Sequence, residues 1–171
     1  MTAKEPLGYN SDRNYQVTQV SRANPVALFT SKVDYGLRAL LDLAVHPSGR
    51  PVQSREIAAR QEIPESYLNQ LLVILRRAGL VRSVRGASGG YVLGRDARQV
   101  SVADVLEALH GQDYLGDGSP SFPDKPTGWA INKLYSRVNE AVHRELRETT
   151  LADLAAEVTR MDEAQSLMLG L

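Results

Sequence analysis

Residues 64 to 93 read PESYLNQLLVILRRAGLVRSVRGASGGYVL, and the fold follows from how this stretch is parsed. Leu68, Leu71, Leu72 and Leu75 recur at i, i+3, i+4 and i+7, the spacing that stacks side chains on one face of a helix. Ser66, Gln70, Val73 and Arg77 then point the opposite way, with Asn69 and Arg76 on one flank and Tyr67 on the other. Gly79 is the expected helix stop, because glycine enters the left-handed region there without steric cost. Leu80 to Val84 alternates apolar and polar residues as a strand does, and Tyr91 to Leu93 resumes that pattern. Between them Arg85-Gly86-Ala87-Ser88-Gly89-Gly90 is too rich in glycine for a regular element and reads as a hairpin tip. A helix, a glycine stop and a ribbon with a basic tip make the back half of a winged helix.

Neither half of that unit names a function by itself. A leucine stripe says only that one face is core, and a polar face is compatible with plain solvation. The tip narrows the choice. Small residues allow close backbone approach, and an arginine held at the end of a ribbon suits a narrow, electronegative minor groove.

Working towards the N-terminus, Thr30 or Ser31 is a good cap for a helix carrying Val33, Leu37, Leu40, Leu41 and Ala44 inward. That helix ends at His46-Pro47-Ser48-Gly49, and Pro51-Val52 forms a short extended link. Ser54 caps a second helix to about Gln61 with Ile57 and Ala58 inside, and Ile63-Pro64 separates it from the leucine helix. Two helices joined by so short a turn are a helix-turn-helix. Residues 1 to 29 hold few apolar side chains and read as an arm with too little to bury.

Towards the C-terminus, Ser101-Val102-Ala103-Asp104 opens a helix carrying Val102, Val105, Leu106 and Leu109, closed by Gly111. Gln112 to Gly128 is a glycine- and proline-rich loop. From about Thr127 to Arg147 runs the longest helix, with Ile131, Leu134, Val138, Ala141, Val142 and Leu146 as its stripe. A helix of that length on a small head needs a partner for its apolar face, so Ile131, Leu134, Val138, Val142 and Leu146 are the expected dimerisation residues. The alternative is packing against the chain's own first helix. Thr150 to Asp153 caps a further short helix, and Met161 to Leu171 reads as a weakly helical tail. The expected fold is mainly α with a small β-wing, a winged helix-turn-helix plus a long dimerisation helix. It divides into an arm (1–29), a DNA-binding head (30–100), a helix with an effector-type loop (101–126) and a dimerisation helix with its tail (127–171).

Composition bounds the function. The 171-residue chain has no cysteine, which excludes disulfides, thiolate zinc sites and cysteine-ligated iron–sulfur clusters. His46, His110 and His143 are too scattered to suggest a metal site, so no cofactor is expected. No apolar run approaches the length of a membrane span, and no secretory signal opens the chain, so cytoplasmic residence is expected. No Walker lysine, nucleophile elbow or paired-carboxylate constellation is present, and an enzyme is not expected. Net charge is zero but segregated: residues 31–100 carry 11 Lys+Arg against 6 Asp+Glu, whereas residues 101–171 carry 6 against 12. A basic head and an acidic body fit a chain that meets phosphates at one end only.

The segments FTSKVDYGLRALLDLAV, ESYLNQLLVILRRAGLVRSVRGASGGYVLGRD and VSVADVLEALHG, in that order, resemble the small bacterial winged-helix regulators that include IscR, NsrR and CymR. The resemblance implies a homodimer whose recognition helices enter successive major grooves of a palindromic operator while the wings reach the flanking minor grooves, most often as a repressor. It places Ser66, Tyr67, Asn69 and Gln70 at bases and phosphates and makes Arg85 the wing arginine. Ser31, Arg77 and Gly86 complete the expected DNA-binding set. Gln and Asn can pair bidentately with adenine. Iron–sulfur members of the family carry three cysteines in the loop that corresponds to Gln112–Gly128; this chain has none there. The family's cluster-ligating histidine falls at about Asn132, and a glutamate and histidine used by other members fall near Asp34 and Arg38. Sensing is then left to a partner protein or to a small effector in the loop, where Tyr114, Phe122 and Trp129 offer aromatic surface. The competing reading is a winged-helix protein-interaction adaptor that does not touch DNA.

Overall fold

The computed structural model describes residues 28–46, 50–86, 88–112, 114–115 and 125–169. Six helices and one two-stranded ribbon follow in order: α1 (Ser31–Val45), α2 (Ser54–Gln61), α3 (Glu65–Arg77), β1 (Val81–Val84), β2 (Gly90–Leu93), α4 (Val102–His110), α5 (Pro126–Glu148) and α6 (Leu151–Leu169), with a 3-10 turn at Ala97–Gln99 before α4. This is the winged helix expected from the sequence.

The leucine stripe of α3 closes the core, as Leu68, Leu71, Leu72 and Leu75 are all at most 1% exposed. The helix α1 is turned from its expected orientation. It buries Val33 and Leu40 as anticipated, but with Gly36, Ala39, Asp42 and Leu43, and leaves Leu37, Leu41 and Ala44 half-buried. The reason is that α1 is the central post, packed by α2 and α3 and also by α4 and α6, so it needs more than one inward stripe. At Gly36 an added Cβ would lie 2.6 Å from Leu109 Cδ1, which shows how near α4 approaches.

The turn of the helix-turn-helix is made by Glu62 in the left-handed region (φ 53°), with Ile63 N–H donating to the Ala58 carbonyl at 2.9 Å and the Ile63 side chain buried. Ser54 begins α2 instead of capping it; Gln53 holds the cap position without a side-chain bond. One buried carboxylate fixes α2 on α1. Asp42, 4% exposed, accepts from Arg60 Nε (2.9 Å) and Nη2 (2.6 Å) and from Gln61 Nε2 (3.0 Å). This pair raises the Arg60 pKa, chiefly through the hydrogen bond.

Gly79 ends α3 with φ +73°, as the sequence predicts. The ribbon is antiparallel, with Val81 opposite Leu93 and Val84 opposite Gly90. Its root is tied down by Val52, whose N–H and carbonyl bond Tyr91 at 2.9 and 2.8 Å as a one-residue third strand. Gly90 allows that approach, because a Cβ there would sit 2.4 Å from the Val52 oxygen.

The start of α4 is a capping box, Asp104 N–H to Ser101 Oγ (3.1 Å) and Ser101 N–H to Asp104 Oδ2 (2.9 Å). Ser101 also pairs with Thr150, through Val102 N–H to the Thr149 carbonyl and Leu151 N–H to the Val100 carbonyl, both 2.9 Å. Thr150 and Asp153 repeat the reciprocal capping at α6. From there α6 is one continuous helix to Leu169, longer than the short helix and tail expected, and it is α6 that packs on α1. Pro126, expected in the loop, opens α5 one residue before the expected start at about Thr127. Leu28, expected in the arm, is buried in the core, and its carbonyl lies 3.3 Å from His110 Nε2. Residues 1–27 and 170–171, and Phe122 with most of the loop, lie outside the described residues.

Candidate nucleic-acid interface

The face of α3 opposite the leucines presents Ser66, Asn69, Gln70, Val73, Arg76 and Arg77, all exposed. Among the described residues, none of these polar side chains is held by a hydrogen bond or ion pair. Tyr67 is placed differently. It is half-buried, edge-on to Tyr35 with ring centroids 5.9 Å apart, and the Arg38 guanidinium lies 5.7 Å over the Tyr35 ring. Arg38 in turn donates to the Gln61 carbonyl at the end of α2 and to Asp34. Tyr67 thus braces the base of α3 while its edge stays on the flank.

Arg85 and Gly86 lie at the exposed wing tip, where Gly86 takes φ +117° and accepts from Gly89 N–H at 2.9 Å. Arg82, on β1, is also exposed, and neither arginine has an ionic partner among the described residues. Ser31 is exposed at the first position of α1, beside Lys32, whose ammonium donates to the Leu109 carbonyl. The structure therefore puts Ser66, Asn69, Gln70 and Arg77 on one open helix face and Arg85 with Gly86 on the ribbon that follows it. What sequence reasoning missed is the clamp on this unit, Asp42 with Arg60 and Gln61, whose members are 18 and 19 positions apart and share no motif.

The expected dimerisation stripe divides in two. Leu146 is buried and Val142 half-buried against the chain's own core, whereas Ile131, Leu134 and Val138 are 51%, 54% and 40% exposed. Trp129 and Tyr135 add to that open apolar surface, with Lys133 Nζ 5.2 Å from the Trp129 ring centre. Of the aromatic set expected for an effector, Tyr114 is half-buried with its hydroxyl 3.2 Å from His143 Nδ1. Burial, reinforced by the Glu107 carboxylate, raises the Tyr114 phenol pKa.

Residues 29–157 match the family model described as Rrf2, iron-dependent transcriptional regulator. The transcriptional regulator CymR of Bacillus subtilis is 36% identical over 139 residues, covering 79% of this chain and 94% of that one. Its solved structure, described as the global cysteine regulator of B. subtilis, superposes with a TM-score of 0.67 over 75% of this chain and 95% of its own. The structure of IscR from T. potens is 37% identical, with a TM-score of 0.63 over 75% of this chain and 86% of its own.

The iron dependence in the family's description was tested against the donors present. The chain offers no thiolate, and Arg38 is committed to the Gln61 carbonyl and Asp34. Asn132, the residue where the family's histidine would fall, holds a buried amide oxygen without a hydrogen-bond partner, but among the described residues no group of three or more His, Cys, Asp or Glu could hold a metal. These donors do not fit a thiolate-held cluster. With the winged helix, the open basic face and three quarters of its length matched, the chain belongs to the Rrf2 family of transcriptional regulators.

Proposed function

We propose that the protein is a sequence-specific DNA-binding repressor that holds a palindromic operator as a homodimer, without a cysteine-ligated cluster. The observation that carries this is the unengaged polar face of α3, with Asn69, Gln70, Arg76 and Arg77 exposed and without partners among the described residues. Charged and amide groups in such a position are free to meet phosphates and base edges without first breaking an internal bond. Arg85 reads the flanking minor groove through its width and potential. The open part of α5, with Ile131, Leu134 and Val138, supplies the subunit contact. The CymR relative supports the same reading, since it is named as a transcriptional regulator.

Selection of bound duplexes from a random pool by the metal-free protein tests it directly. Enrichment of a palindrome, bound with an affinity that falls steeply with salt, is the expected result. Absence of any enriched or salt-sensitive duplex binding would favour the protein-interaction adaptor instead.

A further inference from the structure

A cleft of about 380 Å³ lies between the C-terminal end of α1 and the root of the wing, and among the described residues none of its lining comes from α3. Its apolar wall is the half-buried Ala44, Leu93 and Ala97 over the buried Leu43 and Val92, and its rim carries Arg50, Arg82 and Arg95. All three arginines are exposed, and among the described residues none has an ionic partner. Among the described residues the one carboxylate lining the cleft, Asp96, is already held by Arg98 at 2.9 Å. That bond holds its carboxyl low, at about 2, and the Asp96–Arg98 pair brings no net charge to the rim. Three uncompensated guanidiniums around a concave, partly apolar hollow attract an oxyanion, and the hollow is within the size range of small-ligand sites.

We propose that this cleft binds a small organic anion, a carboxylate or phosphate ester with a short apolar body, and that its occupancy tunes operator affinity through the wing. This rests on the regulator reading for its second half only. The apolar wall is what favours an organic anion over a backbone phosphate of DNA, which would use the arginines and leave the half-buried Ala44, Leu93 and Ala97 uncovered. The link to the wing is direct. Arg82 and Val92 are cross-strand neighbours in the ribbon that ends at Arg85, while Leu43 belongs to α1. A ligand spanning both fixes the angle of the ribbon on the head, and a ligand that prefers one angle shifts the population that reaches the groove.

The test uses the full chain without DNA, titrated with phenyl phosphate and with inorganic phosphate at matched ionic strength and followed by backbone amide shifts. Saturable binding of phenyl phosphate, about tenfold tighter than inorganic phosphate and perturbing residues 43–46 and 92–97, is expected. Arg50→Ala with Arg95→Ala should weaken it about tenfold, and Arg95→Lys should retain most of it. With the selected operator, saturating phenyl phosphate should change affinity several-fold in the parent chain and leave the double variant unmoved. Unsaturable shifts, or equal binding by the double variant, would overturn the site. So would a double variant that loses only salt-dependent duplex binding, because the cleft would then read DNA. Saturable binding by a chain that binds no duplex would uphold the cleft and overturn the regulator reading, so the two failures remain distinguishable.

Discussion

The helices α3 and α5 carry apolar stripes written in similar spacing, yet the chain treats them oppositely. In α3 the four stripe leucines are shut inside the head; in α5 only Leu146 is, and the stripe emerges from the core along Val142 and Val138 to Leu134 and Ile131 in the open. Periodicity states that a face is apolar but not what covers it, since the same leucine spacing serves a core and a surface awaiting a partner. The polar faces differ in the converse sense: that of α3 is exposed without internal partners, whereas the N-terminal part of α5 is exposed nearly all round.

The comparison breaks first at the core. Leu72→Ala should cost about 2 to 5 kcal/mol of unfolding free energy, read from denaturant midpoints, because the buried side chain leaves a cavity. Leu134→Glu should leave the monomer's stability within about 0.5 kcal/mol of the parent, as expected for an exposed position. If α5 is the subunit contact, the same variant should weaken dimerisation by about 100-fold in sedimentation; an unchanged dimer would move the interface elsewhere. The α3 polar face is sharpened by Gln70→Ala, which should lose about 1 to 3 kcal/mol at one base pair of the operator without a shift in the unfolding midpoint. Loss spread evenly over all sequences would make Gln70 a phosphate contact instead. The smallest effect concerns Asp96 and its Arg98 hydrogen bonds. Its folded pKa of about 2 lies below the ordinary 3.8, so its stabilisation is fully present above about pH 4 and lost as pH falls towards 2. The difference in thermal midpoint between the parent and Asp96→Asn should therefore shrink over that window.

Much of the head was legible because its signals are local. Gly79 at a positive φ, the Ser101–Asp104 box and the glycine-rich turn are each decided by neighbours within a few residues. The inward face of α1 lies about a third of a turn from the stripe its spacing suggests, since a helix packed from several sides has no single stripe to read. Extension of α6 to Leu169 escaped for another reason: residues 161–168 are exposed, so the pattern there records no burial. The Asp42–Arg60–Gln61 clamp and the Val52–Tyr91 bridge join residues far apart in the chain, and spacing carries no trace of either. Of the candidate interface residues, the exposure of Ser66, Asn69, Gln70, Arg77 and Arg85 followed from helical angle and turn chemistry. The half-burial of Tyr67 depends on Tyr35 in another helix and did not.

The bridge between Ser101 and Thr150 has a consequence for how such a chain can diversify. Each residue caps a helix with its own aspartate, and the two helix starts are joined side by side, so the chain leaves this seam at α4 and returns to it after α5, with α4 and Leu146 packed into the core and only the open part of α5 outside it. Substitutions can accumulate on the open part of α5 while α6 keeps its seat on α1 and α4 its place in the core, which makes that exposed stretch exchangeable without rebuilding the head.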